Sequence, residues 1–211
     1  RGFQRCLVLG DIPLCGIHRQ VVFVHQAHLI SPRVSAACGA SLKFVVMRWV
    51  FRRNLSYVRT VVVQTGAMRD QMIDSYPELE NRVAVIPQPA PNGFHARRDT
   101  PRPPKAERLT LFYPAVGYPH KNHALLRHMD AIRKGSRGVE VVVTLSGTEH
   151  SSLALPSSWV RNVGRLDATA CLAAYQETDA LFCPSLLESY GLPLVEAMTL
   201  GLPVVCANLP Y

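Results

Sequence analysis

The sequence is short of acidic side chains and of long apolar runs. Asp and Glu number 15 against 23 Lys and Arg, a formal charge of +8 at neutral pH. Such an imbalance favours anionic partners, among them nucleotide phosphates and anionic lipid headgroups. It does not make a nucleic-acid module, which needs clustered basic and aromatic residues; Arg48, Arg52 and Arg53 are too few. No apolar run is long enough to cross a bilayer, because Arg, His or Gln interrupts stretches such as VVFVHQ and FVVMRWVFRR. No Asp-x-Asp pair occurs, so nothing signals a divalent cation carrying a diphosphate. The cysteines at 6, 15, 38, 171, 183 and 206 form no C-x2-C or other close pair, which excludes a patterned zinc site and reads as free thiols in a reducing compartment. An initiating Met and a signal-peptide pattern are also lacking, and both ends read as cut from something longer.

What is present is a core. Hydrophobic residues make up 48% of the chain, enough to fold rather than to form a disordered tail. Short Val- and Leu-rich runs at 7–10, 21–25, 60–63 and 83–86 suit buried parallel strands. Between them, 33–56 has helical character, and Thr65 precedes a helix with Met68 and Met72 on one face. Six prolines then fall within 87–108, a linker signal. Beyond it, strands at 109–113, 139–145, 160–163, 179–184 and 203–206 alternate with helices over about 123–133, 168–177 and 193–200, the first of which Asn122 could cap. The pattern predicts an α/β fold of two Rossmann-like parallel-sheet domains facing a cleft, both incomplete. Their bounds are 1–100 for the N-terminal part, 101–108 for the linker and 109–211 for the C-terminal part. Ligands in such folds sit beyond the carboxyl ends of the strands.

The segment PSLLESYGLPLVEAMTLGLPVV carries the chemistry. Glu188 and Glu196 are separated by Gly191 and Pro193, so they do not share one continuous helix face. Glu188 reads as a loop residue after a strand, and Glu196 as lying on the first turn of the next helix. Backbone N–H groups around Tyr190–Leu192 could face an anion while the carboxylates accept hydrogen bonds from hydroxyls. That combination suits a ligand bearing both phosphates and hydroxyls. The plainer alternative is a helix-dipole charge at Glu196 and a solvated Glu188.

ESYGLPLVEAM resembles the Glu-x7-Glu motif of retaining, two-domain GT-B glycosyltransferases (glycosyltransferase family 4, group 1), a family containing lipopolysaccharide and capsule mannosyltransferases. DALFCPS before it, GLPVVCANLP after it, NVGRLDATACLAAYQETDA upstream and VVVQTGAMRDQMI with NRVAVIPQP extend the similarity over most of 60–211. The resemblance implies transfer of a hexose from a nucleotide-diphosphate sugar, GDP- or UDP-linked, to a saccharide or lipid-linked acceptor with retention of configuration and without a metal cofactor. It implies that Glu188 contacts the donor sugar, Glu196 the ribose hydroxyls and Lys121 the diphosphate. Backbone groups of Gly191 and Leu192 approach the sugar or phosphate, and Gly164 and Arg165 lie along the base-binding loop. His25, with His28 as rival, matches a histidine that orients the sugar from the N-terminal domain.

The sequence departs from the family at PAVGYPHKN, where Gly117 is followed by Tyr118 rather than by an arginine; Arg165 and His120 are the candidates to replace that cation. A complete family member is longer than this chain, which therefore reads as a fragment in which donor binding survives more readily than turnover. The expected setting is cytoplasmic, with peripheral contact on the inner face of an anionic membrane and no nucleic-acid partner. Two other readings stand beside the transferase. A non-catalytic remnant acting as an interaction protein would show no donor affinity, and an epimerase of the same architecture would lack the tight Glu-x7-Glu segment.

Overall fold

The computed structural model describes residues 6–30, 42–91, 93–94, 108–132 and 138–209, so 33–41 of the predicted helical stretch and most of the Pro-rich linker lie outside the described residues. The chain forms two compact units, Arg1–Pro89 with Leu187–Tyr190 and Leu209–Tyr211, and Ala90–Leu186 with Gly191–Asn208.

In the first unit, β1 (Cys6–Val8), β2 (Gln20–Phe23), β3 (Val58–Val63) and β4 (Val83–Val85) form a parallel sheet in the order β1-β2-β3-β4. Helices α1 (Ala27–Ile30) and α2 (Leu42–Arg53) lie between β2 and β3, and α3 (Gly66–Ser75) between β3 and β4. The strands are Val-rich because they are buried: Val22, Val61 and Val63 pack with Leu29, Phe51, Met68, Met72 and Leu79. Thr65 caps α3 as the sequence predicts, its hydroxyl accepting the Met68 N–H at 3.0 Å. Met68 and Met72, one turn apart, both point into the core. The β1–β2 connection has no helix. Gln20, fully buried, braces it instead: its amide accepts the Leu14 N–H and donates to the carbonyls of Leu14 and Ile17.

The second unit contains β5 (Leu109–Tyr113), α4 (Leu125–Ile132), β6 (Val139–Val143), α5 (Gly147–Leu153), β7 (Val160–Asn162), α6 (Ala168–Glu177), β8 (Ala180–Cys183), α7 (Leu192–Thr199) and β9 (Val204–Cys206). Its five strands are parallel in the order β7-β6-β5-β8-β9. Alternate residues feed two cores, one on each face. Leu111 and Tyr113 pack with Leu126, Val141, Val143 and Trp159, while Phe112 packs with Val142, Tyr175, Leu181 and Ala197. The strand order reverses between β5 and β8, where the loops leave in opposite directions and a doubly wound sheet opens its ligand crevice. Each unit, a parallel sheet with helices between strands, bears out the α/β, Rossmann-like character that the pattern predicts.

Three local expectations are corrected. The helix expected from about residue 123 begins at Leu125, because Pro119–Lys121 form a tight 3-10 turn and Asn122 closes it in a left-handed conformation (φ 58°). Asn122 therefore does not cap α4 with its side chain; that amide donates to the Pro184 carbonyl at 3.1 Å. Helix α5 was not anticipated, although Ser146 and Glu149 form a capping box at its start. Glu196 is not in the first turn of α7: the helix starts at Leu192, with Pro193 inside its first turn, so Glu196 falls in the second.

Removing the Thr65 cap (Thr65→Ala) is expected to cost about 1 kcal/mol, whereas Met68→Ala, which empties core volume, should cost about 2–5 kcal/mol. Urea unfolding of the two variants at neutral pH checks the ranking.

Candidate functional site

The loops after β5 and β8 meet at the reversal of the strand order. The Leu186 N–H donates to the His120 carbonyl at 2.7 Å, and the Asn122 amide donates to the Pro184 carbonyl at 3.1 Å. From below, the Tyr113 hydroxyl, at the end of β5, donates to the Lys121 carbonyl and lies 3.3 Å from the Ser185 hydroxyl. Lys121 is the last residue of the 3-10 turn and is half-buried. The chain holding Lys121 is thus fixed to the chain that leads to Glu188 and Gly191. Asn122 adopts its left-handed backbone because that geometry turns the chain and aims its amide across the gap; Asn tolerates this region better than most residues.

The loop after β8 runs to Gly191, which precedes α7 with φ 71°. The left-handed backbone favours glycine there, and a Cβ would sit 2.8 Å from Leu194 Cδ1, so the Leu194 side chain would also have to shift. Leu192 opens the helix, and the Leu194 N–H closes back on the Gly191 carbonyl at 2.8 Å. Glu188 lies in the same loop and is half-buried.

Glu196 is 8% exposed, and its Oε2 accepts the Tyr175 hydroxyl at 2.7 Å. Burial pushes the Glu196 carboxyl above its ordinary range, and the Tyr175 hydrogen bond pulls it back. Tyr175 is itself locked, with its ring edge-on to Phe112 and Phe94 and its own ionisation pushed upward by burial and by Glu196. The sequence offers little warning of this pair, since Tyr175 sits 21 residues before Glu196 on another helix.

A second glutamate, missed at the sequence level, ties three strand-end loops together. Glu149 Oε1 accepts the Gly117 N–H at 3.0 Å, Oε2 accepts the Ser146 N–H at 2.8 Å, and Arg165 Nη2 donates to both oxygens at 2.8 Å. Gly117 follows β5, Ser146 follows β6 and Arg165 follows β7. The backbone N–H groups of Ser146 and Gly117, with Arg165 adding to them, hold the Glu149 carboxyl down to about 2. Asn162 stitches the neighbouring pair: its Oδ1 accepts the N–H groups of Leu145 and Gly164, and its amide donates to the Leu145 carbonyl. Gly164 turns with φ 76°. The SGTE stretch carries a capping-box signal that could have drawn attention to Glu149.

Arg165 is therefore drawn toward the Gly117–Lys121 loop, the loop that lacks an arginine beside Gly117. His120 serves that loop through its carbonyl, as the acceptor for Leu186. His123, just beyond, is 2% exposed and stacked on Tyr113 with ring centroids 4.6 Å apart. Neither of its ring nitrogens has a hydrogen-bond partner, and burial holds its pKa down to about 4.

His25 belongs to the N-terminal unit, in the loop after β2 with Val24 between. Asp11, in a left-handed conformation (φ 66°), accepts the backbone N–H groups of His25 and Gln26 at 2.6 and 3.0 Å, with the His25 ring nitrogen 3.9 Å away. The His25 side chain is 44% exposed, whereas His28 is 7% exposed and stacked on Phe44. Of the two histidines, His25 is the one open to a ligand. Among the described residues, no group of three or more His, Cys, Asp or Glu could hold a metal ion, and no helix is long and apolar enough to cross a membrane.

A family model for the glycosyl transferases, group 1, matches residues 97–211. The glycogen synthase of Mycobacterium tuberculosis (strain CDC 1551 / Oshkosh) is 30% identical over 208 residues, covering 94% of this chain and 47% of the synthase. The chain thus spans about half the length of that curated relative. Among solved structures, WaaG, a glycosyltransferase involved in lipopolysaccharide biosynthesis, aligns with a TM-score of 0.66 at 16% identity, over 97% of this chain and 59% of WaaG. Sucrose-phosphate synthase from Thermosynechococcus elongatus aligns with a TM-score of 0.65 at 15% identity, over 90% and 50% of the two chains. At these identities the structures share the fold with this chain.

The Glu149 tie makes a pH prediction. A carboxyl held below its unfolded value stabilises the fold above the unfolded pKa, and that contribution is lost as pH falls through the folded value. Glu149→Gln should therefore destabilise the chain at pH 7, with the gap to wild type narrowing from about pH 4.5 toward pH 2; unfolding midpoints across that range test it. Gly191→Ala, forced into the left-handed region and against Leu194, should cost at least about 1–2 kcal/mol in the same assay.

Proposed function

The chain belongs to the glycosyl transferases of group 1, and on that premise we propose that it binds a nucleotide-diphosphate sugar and transfers the hexose to a saccharide or lipid-linked acceptor with retention of configuration. The observation that carries this reading is the stitching of the Lys121 loop to the loop that leads to Glu188 and Gly191, at the reversal of the strand order. In this reading Lys121 meets the diphosphate, where negative charge grows as the sugar departs, and the backbone N–H groups around Gly191 and Leu192 add fixed dipoles. Arg165, brought toward the Gly117 loop by Glu149, supplies the second cation, and Gly164 shapes the loop that receives the base. Glu196 accepts hydrogen bonds from the ribose hydroxyls, and Glu188 from hydroxyls of the donor sugar.

The bond from the anomeric carbon to the diphosphate breaks, and the acceptor oxygen bonds to that carbon on the same face. The acceptor proton passes to an oxygen of the departing phosphate, so no side-chain base is needed. His25, held by Asp11, orients the sugar from the N-terminal unit, the proposed acceptor side. GDP- and UDP-linked hexoses, mannose among them, are the donors of choice.

Calorimetric titration of the chain with UDP-, GDP- and ADP-sugars tests the donor site. One nucleotide class is expected to bind saturably, and Glu196→Ala or Lys121→Ala to weaken it by about 10- to 100-fold, the worth of a hydrogen bond to a charged group. No binding by the folded chain sinks the reading. Because burial raises the Glu196 pKa, donor affinity should fall on acidification at a higher pH than an ordinary carboxylate would give. Tyr175→Phe removes the hydroxyl that holds this carboxyl down and should move the loss to higher pH.

A further inference from the structure

We propose that the outer face of α2 docks the N-terminal unit on an anionic lipid bilayer. The proposal rests on α2 and its neighbours alone and stands apart from the donor site.

Helix α2, LKFVVMRWVFRR, contains four cations and no acid. Its inner side is satisfied by the protein: Phe51 is fully buried, Met47 packs against the same core, and Phe44 stacks on His28 at 4.2 Å. Its outer side is apolar where a surface helix should be polar. Leu42 is 76% exposed, Val45 52%, Val46 51% and Trp49 63%, and their spacing puts them on one stripe. The cations border this stripe and are held in place. Arg53 lies over the Trp49 ring at 5.7 Å and Lys43 over Phe44 at 5.9 Å, while Arg48 donates to the His28 carbonyl and Arg52 to the Ser75 carbonyl. Beside the stripe runs a groove of about 340 Å³ lined by Val45, Arg48, Trp49, Arg52, Ser75 and Tyr76.

An exposed apolar row with a Trp, edged by fixed guanidinium groups, is the chemistry of an interfacial helix. The apolar side chains enter the acyl boundary, Trp sits at headgroup depth, and the cations meet lipid phosphate. The groove offers a phosphate two guanidinium walls beside apolar surface. A second copy of the same face fits poorly, since it would set four cations against four of their own kind.

The protein carries its own reporter. Of its two tryptophans, Trp159 is 1% exposed and Trp49 63%, so a change in emission on adding vesicles reports Trp49. With phosphatidylglycerol–phosphatidylcholine vesicles, Trp49 emission should shift to the blue and escape iodide quenching, and the chain should float with the lipid. With phosphatidylcholine alone, neither should happen. Arg53→Gln should lower partitioning about fivefold, the worth of one cation near an anionic surface, added salt should lower it further, and Trp49→Ser should abolish most of it. These side chains are exposed, so the variants should keep the wild-type unfolding midpoint. The proposal is overturned if Trp49 stays equally quenchable with anionic vesicles, or if both variants float as well as the wild type. It is also overturned if the Trp49 signal shifts with protein concentration in the absence of lipid, which would mean that another copy covers the face.

Discussion

The second unit depends on two hydrogen bonds that cross the point where its strand order reverses. Parallel strands send their loops apart on either side of that point, and the sheet itself does nothing to hold the loops together. The Leu186 N–H to His120 and the Asn122 amide to Pro184 do so, with Tyr113 bracing the turn from the end of β5. All three bonds end on backbone carbonyls, and two of the donors are the short or rigid side chains of Asn122 and Tyr113, so the loops are tied by groups with few rotamers to lose.

Two glutamates of the second unit, Glu149 and Glu196, are shifted in opposite directions by their surroundings. Glu149 is surrounded by donors and kept charged, so it serves as a fixed anion that pins three loops. Glu196 is buried beside a single hydroxyl, and burial makes its charged form costly. A carboxylate that is costly while poorly solvated gains most when a ligand brings hydroxyls to it. That suits the proposed contact with ribose, whereas Glu149 is already saturated by its neighbours and suits support.

Much of the fold could be read from the sequence because buried parallel strands announce themselves. VVFV, TVVV, LTLFY, VEVVV and ALFC are apolar runs of strand length, and each forms a strand. The Thr65 cap and the Met68–Met72 face were equally local and equally legible. Short elements were not. Helix α5 is seven residues long, too brief for a periodic signal, and only its capping box marked it. Asn122 reads as a cap in isolation because Asn favours that role, yet a tertiary bond to Pro184 claims its side chain. The positions of Lys121, Glu188 and Gly191 on strand-end loops followed from strand–loop–helix patterning. The long-range partners of the candidate residues, Tyr175 to Glu196, Arg165 to Glu149 and Asp11 to His25, are distant in sequence and share no local motif with them, so only the folded chain brings them in.

Gly117 and Glu149 approach so closely that a Cβ at position 117 would meet the glutamate Cγ at 3.0 Å and Cβ at 3.1 Å. A side chain at 117 would need Glu149 to give by a few tenths of an ångström, and Glu149 is held on its other side by Arg165 and the Ser146 N–H. A methyl group there would be felt at every loop that the carboxylate ties, so the tolerance of position 117 gauges how stiffly the three loops are bound together.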